Sequence, residues 1–229
     1  MAKTKLAGVA RGAEDHGRSA QKRRAILDAA TNVFLEKGYL GASMDEIAGL
    51  AAVSKQTVYA HFSTKEALFV AIVSSTTNQA SDKVHNEMPG FGVGEDPAEY
   101  LRAYAYRQLT VVLQPRIMQL RRLVIGEVGR FPGLAKALFD GGPKRAVSAL
   151  GAALKDLADR GLLAIDDPGL AASQFNWLIM GEPLNKVMLL GDDAIPTKAE
   201  LRRHALQSVR MFLAAYAIEG SPTSQPAGG

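Results

Sequence analysis

Cysteine is absent from the 229 residues. That excludes disulfides, thiolate metal sites and cysteine nucleophiles, and a cytoplasmic setting is the simplest expectation. Aromatic residues are few, 7% of the chain with a single Trp. No apolar run approaches the ~18–20 residues of a membrane-spanning helix, so no membrane partner is expected. The N-terminal MAKTKLAGVARG is basic, but its apolar stretch runs only from Leu6 to Ala10, short of the about 7–15 residues of a secretory signal. Alternating β-branched runs, the mark of half-buried strands, are missing.

The charge imbalance is also small, 27 Lys and Arg against 23 Asp and Glu, for a formal +4. Its placement is informative. Residues 1–65 hold ten basic and six acidic residues, whereas the remainder is balanced. The cluster Lys22-Arg23-Arg24 follows a loose stretch carrying Lys3, Lys5, Arg11 and Arg18. A basic segment on a neutral body fits either a solvated tail or a footprint for phosphates.

What remains is helical in pattern. Residues 1–18 are small, polar and without periodicity, and are expected to be disordered. From Ser19 the apolar spacing of Ile26, Ala30 and Val33 predicts an amphipathic helix that stops at Lys37-Gly38. Ser43-Met44-Asp45-Glu46 reads as a capping box opening a two-turn helix. Ser54 can cap a second short helix, Lys55–His61. Ser63-Thr64-Lys65-Glu66 reads as another capping box, opening a longer helix to about Met88-Pro89. Pro89–Pro97 is a linker. Its alternating glycines follow no strand, so a nucleotide loop is not expected there. Further helices are predicted at about 97–113, 115–130, 133–139, 143–161, 168–190 and 197–218. Prolines lie near their starts, where the missing N–H costs little. Residues 220–229 are expected to be a disordered tail.

Residues 43–62 carry the chemistry. Ile47, Ala48, Leu50, Ala51, Val53, Val58 and Phe62 supply small apolar faces that lock two short helices together. The second helix keeps a polar remainder of Ser54, Lys55, Gln56, Thr57, Tyr59 and His61. That pattern suits a recognition helix in a DNA major groove. Lys can donate to guanine and Gln can pair with adenine, while hydroxyls and capped helix starts suit phosphate oxygens.

The run from Arg23 to Phe69 resembles the DNA-binding domain of the TetR family of transcriptional regulators. The matching residues are Ile26-Leu27-Asp28-Ala29-Ala30, Phe34, Gly38-Tyr39, Ser43, Ile47-Ala48, Ala51, Val53-Ser54, Thr57, Val58-Tyr59, His61-Phe62, Lys65, Glu66 and Leu68. Within the remainder, Val124–Leu138 and Trp177–Met188 resemble regulators of the AefR type. The resemblance implies an all-α chain. A helix-turn-helix domain of three helices over residues 19–66 precedes a helical ligand-binding and dimerisation domain over residues 67–219. It also implies a dimeric repressor that binds a palindromic double-stranded operator and is released by a small molecule. Residue by residue, Lys55, Gln56, Thr57, Tyr59 and His61 fall where the family contacts DNA. Ser43 matches its phosphate contact at the second helix, and Lys65 its phosphate-binding lysine. Arg24, with Lys22 and Arg23, is a candidate for phosphate or minor-groove contact. Ala52 departs from the pattern at a turn position that is often Gly, which predicts a turn that is slightly strained or shaped differently. Gln56 departs where a small residue is frequent, which predicts an added base contact.

An enzyme is the alternative, and the sequence offers little for it. The histidines at 16, 61, 85 and 204 are scattered over separate elements. Asp82 and His85 form a lone carboxylate–histidine pair at helical spacing, where a di-iron bundle needs two such motifs and two further carboxylates. Serines lack a nucleophile elbow. Neither a metal nor a cofactor is expected. A helical scaffold protein that no longer binds DNA is a further alternative. For the small molecule, Tyr104, Met118, Arg122, Ile125, Phe139 and Trp177 are the candidate contacts. For the homodimer, the helix at 168–190 is apolar on more than one face, so one face is left for a partner chain. Leu201, Ala205, Val209, Phe212, Leu213 and Tyr216 of the last helix are expected to complete a four-helix interface.

Overall fold

The computed structural model describes residues 2–85, 91, 92 and 94–218, with side chains from residue 17 onward. The expected C-terminal tail at 220–229 lies outside them, as do parts of the linker expected at 89–97.

Ten α-helices account for the described architecture: α1 (Ala2–Gly41), α2 (Met44–Leu50), α3 (Lys55–His61), α4 (Lys65–His85), α5 (Pro97–Val112), α6 (Pro115–Gly126), α7 (Pro132–Phe139), α8 (Arg145–Asp159), α9 (Pro168–Leu190) and α10 (Lys198–Tyr216). A π-helical turn at Asp140–Lys144 joins α7 to α8. The expected all-helical class is therefore what the chain adopts. Among the described residues one β-bridge, Leu163 with Ala217, ties the end of α10 to the loop after α8.

Several local expectations are corrected. Residues 2–18, expected to be disordered, continue α1 as helical backbone. Ala, Leu, Lys and Arg are strong helix formers there, and extending an existing helix avoids the cost of a new nucleus. The helix breaks where expected, at Gly38, whose φ of +72° only glycine adopts without strain. Ser43 accepts from the Glu46 N–H at 3.2 Å, but the Glu46 carboxylate pairs with Lys37 rather than reaching back to Ser43. At α4 the cap is Thr64, not Ser63: its hydroxyl accepts from the Ala67 N–H at 3.0 Å.

Two compact units divide the chain. The first holds everything described up to Ser75 together with Leu123–Leu134. This unit runs past the boundary expected at residue 66 and takes in a later segment. Tyr39 packs with Phe34 and Phe69, and Phe131 comes within 4.6 Å of the Tyr39 ring. Around this cluster Ile26, Ala30, Ile47, Val58 and Leu68 are buried to 4% exposure or less.

The second unit holds Thr76–Arg122 and the described residues from Ala135 onward. Its core is a layer of Leu101, Leu109, Met118, Leu154, Phe175, Ile179, Val209 and Phe212. Helix α9 carries Pro183 in its interior. Proline lacks the N–H that would bond the carbonyl four residues earlier, that of Ile179. His204 of α10 supplies the donor instead, with Nε2 2.9 Å from the Ile179 oxygen. Ser208 adds a hydrogen bond to the Leu178 oxygen at 3.1 Å. These bonds fix the phase of α10 against α9.

That phase also corrects the expected dimer stripe. Leu201, Ala205, Val209, Phe212 and Leu213 of α10 are buried within the unit, and Tyr216 packs on Phe212. The apolar side chains left exposed are Leu206 and Met211 on α10, with Leu170, Trp177, Leu189 and Leu190 on α9.

Candidate nucleic-acid interface and core cavity

Helices α2 and α3 have seven residues each, too few to be stable alone. Side-chain caps and buried apolar contacts hold them. Ser54 accepts from the Thr57 N–H at 3.1 Å, and the two hydroxyls lie 2.8 Å apart. Only Val58 of α3 is buried, so most of that helix faces outward. Lys55, Gln56 and Tyr59 are exposed, while Thr57 and His61 are half-buried. Lys55 is held by Asp45 of α2, with its Nζ 2.8 Å from Oδ1. That hydrogen bond and the carboxylate's charge hold the lysine's pKa above its usual value.

The connecting turn is closed by the Val53 N–H donating to the Ala48 oxygen at 3.1 Å. Ala52 sits in it at φ +53°, alone among the described non-glycine residues in having positive φ. The strained turn expected from its side chain is thus present.

Lys65 is placed differently from a free phosphate ligand. Its Nζ donates to the Tyr39 oxygen at 2.8 Å and the Ala42 oxygen at 2.9 Å, and lies 4.7 Å from the centre of the Tyr39 ring. Two of its three protons are already used to clamp the end of α1 to α4, which leaves one for an external oxygen. Arg23 stacks over Phe62 at 5.2 Å, while Arg24 is exposed. Ser43 is exposed at the start of α2.

In the second unit, α4, α5, α6 and α9, with the segment from the end of α7 to the start of α8, line a partly open cavity of about 300 Å³. Val84, Val112, Ile117, Met180 and Leu184 make its wall apolar, and Phe139 and Trp177 also line it. Four polar atoms in the wall have no hydrogen-bond partner: Ser81 Oγ, His85 Nε2, Gln108 Oε1 and Arg121 Nε. Gln108 is anchored by its other end, with Nε2 donating to Asn176 Oδ1 at 2.7 Å. Burial and nearby Arg145 push the His85 pKa down, against a weaker pull from Asp82. Asp82 itself pairs with Arg145 at 2.6 Å.

Of the six residues expected to touch a small molecule, Phe139 and Trp177 line this cavity. The other four do not. Met118 is fully buried core. Tyr104 is buried against His85 and Phe175. Arg122 points the other way, donating to the Val187 oxygen at 3.0 Å and pairing with Asp192. Ile125 is half exposed and belongs to the first unit. Ser81, His85, Gln108 and Arg121 also line the cavity and were not among the residues expected from the sequence. Thr77, Ser81 and His85 recur every four residues on α4, a polar stripe on one face. For Arg121 against Arg122, only the rotational phase of α6 decides.

Two capped short helices joined by a tight turn, with the second presenting its polar face from a helical support, define a helix-turn-helix DNA-binding protein. Comparison with known proteins agrees. Residues 26–72 match the family model described as bacterial regulatory proteins of the tetR family. Residues 99–218 match that of the AefR-like transcriptional repressor C-terminal domain. A TetR-family transcriptional regulator from Mesorhizobium loti is 39% identical, with a TM-score of 0.81 over 88% of this chain and 99% of that one. The flavonoid-responsive regulator FrrA is 30% identical, with a TM-score of 0.73 over 88% of this chain and all of that one. The transcriptional activator FasR of Mycolicibacterium smegmatis is 47% identical over 53 residues, 23% of this chain. That match spans about a quarter of FasR, 24% of its length. The chain belongs to the TetR family, with a C-terminal domain of the AefR-like type. Its relatives are transcriptional regulators, not enzymes.

Proposed function

We propose that the protein is a cytoplasmic, ligand-responsive repressor that binds a roughly palindromic operator as a homodimer and leaves it when a small apolar or amphipathic molecule occupies the cavity. The observation that carries this reading is the pairing, in one chain, of an outward polar α3 with an apolar cavity of about 300 Å³. Such a volume is at the lower end of small-molecule sites.

In this reading Lys55 and Gln56 meet base edges and Tyr59 and His61 flank them. Ser43, Ser54, Thr57, Arg24 and the remaining proton of Lys65 meet phosphates. Lys55 exchanges its Asp45 partner for DNA. Helix α4 starts at Lys65 and its later turns, with Ser81 and His85, line the cavity. The same helix thus contributes to both functions, and a ligand with different affinity for two conformations of the chain changes DNA affinity by linkage. Such coupling is typically about 1–3 kcal/mol, or 5–150-fold. Exposed Leu170, Leu189 and Leu190 of α9 and Leu206 and Met211 of α10 supply the dimer contact, and two-fold symmetry sets the recognition helices about 34–36 Å apart, or a multiple of it. The likeness to a flavonoid-responsive regulator makes flavonoids the first effectors to try.

The test is a fluorescence-anisotropy titration with duplexes from around the protein's own coding region. Lys55→Ala and Gln56→Ala relax base preference, by about 1–3 kcal/mol at a good bidentate contact. Unchanged affinity and selectivity in both variants and in Tyr59→Phe refute the recognition-helix assignment. Sedimentation of the wild type as a monomer at micromolar concentration refutes the dimer.

A further inference from the structure

The cavity wall has an unusual charge inventory. Its described residues include one arginine and no Asp or Glu. Arg121 lies deep enough that burial lowers its pKa, yet a guanidinium stays protonated in proteins. The two carboxylates on neighbouring helical segments have other partners, Asp82 with Arg145 and Asp192 with Arg122, and burial alone shifts Arg121. Arg121 is half-buried, and its Nε is buried without a partner; an unsatisfied donor on a cation is costly in an apolar wall, and it invites an anion. Gln108 and Ser81, 3% and 6% exposed, add an acceptor Oε1 and a hydroxyl without partners. Both belong to the same wall as Arg121.

Resting on the effector-cavity reading above, we propose that the cavity selects an amphipathic monoanion. Its carboxylate is taken by the Nε–H of Arg121, and its apolar body lies against Val84, Ile117, Met180 and Trp177. Binding supplies the counter-charge that the cavity wall lacks. A neutral molecule of the same shape fills the same space but leaves Arg121 unpaired. The preference is therefore for charge, over and above hydrophobicity. Gln108 Oε1 adds a preference for anions that carry a hydroxyl or N–H donor.

The chain provides its own probe, since its single tryptophan, Trp177, lines the cavity. Naphthalene-2-carboxylate and its neutral near-isostere naphthalene-2-carboxamide are titrated into the full-length protein, with binding read by Trp177 quenching and by calorimetry. The carboxylate binds about ten- to a hundredfold more tightly than the amide, the range of a charge-assisted hydrogen bond in a desolvated site. Arg121→Gln, checked for native helicity, abolishes that preference while amide binding persists. Arg121→Lys keeps part of it. An amide that binds wild type as tightly as the carboxylate, or a preference that survives Arg121→Gln, overturns the anion assignment and leaves the effector cavity standing. Absence of binding by both probes overturns both.

Discussion

The turn between α2 and α3 stores strain at one residue, and removing it should stabilise the protein. Ala52 is held at φ +53°, where an L-residue's Cβ crowds the following carbonyl at a cost of roughly 1–2 kcal/mol. Its side chain is exposed, so Ala52→Gly forfeits no burial. Glycine brings an opposing cost of about 0.5–1 kcal/mol from its greater freedom when unfolded. The balance is a gain of roughly 0–1.5 kcal/mol, a few degrees in melting temperature at most for a chain of this size. Gly49, three residues earlier on α2, is the internal control. A Cβ there meets nothing within 4 Å, and Gly49→Ala should stabilise by about 0.5–1 kcal/mol through helix propensity. Urea unfolding followed by helicity measures both. Two opposite exchanges within one turn should thus move stability in the same direction, while operator affinity shifts little because the backbone path is kept. Destabilisation by Ala52→Gly of the size usual for a helical Ala→Gly exchange would falsify the strain argument.

Other consequences follow from particular bonds. Lys65→Met removes the donor from the Tyr39 and Ala42 oxygens and should cost about 1–3 kcal/mol of stability. A variant with intact stability and weakened DNA binding would show the lysine to act on phosphate alone. His204→Phe should cost a similar amount, roughly 1–3 kcal/mol, by orphaning the Ile179 carbonyl. Pro183→Ala restores the missing N–H, so it should help the His204→Phe protein more than the wild type; strictly additive effects in this double-mutant cycle refute the proposed compensation. The Arg122 guanidinium, helped by the Gln119 amide, holds the Asp192 carboxyl below the usual range. Its contribution is complete above the unfolded carboxyl's pKa of about 3.9 and is lost as pH falls through the lower folded value. Asp192→Asn should therefore lose about 0.5–1 kcal/mol near pH 7. It should converge on the wild type in acid, and a constant difference at all pH values in denaturant melts argues against the pairing.

Local sequence by itself determined the helix-turn-helix. Ser43 and Ser54 cap because hydroxyl oxygens satisfy the N–H groups at a helix start, and Gly38 breaks α1 because a positive φ favours glycine. Both are properties of a few consecutive residues. The spacing of Ile47, Ala48, Val58 and Phe62 likewise sets which faces turn inward and therefore leaves Lys55, Gln56 and Tyr59 outside. Tertiary structure decided whatever depends on the phase of one helix against another. Arg121 lines the cavity while Arg122 pairs with Asp192, although the two are neighbours, because a helix turns about 100° per residue. The apolar stripe of α10 looked free for a partner chain, but the bond from His204 to the carbonyl freed by Pro183 turns it into its own core. Thr64 rather than Ser63 caps α4, a choice between adjacent hydroxyls that the path of the preceding chain makes. Lys65 clamps two carbonyls contributed by residues more than twenty positions away, a partnership invisible to any local reading.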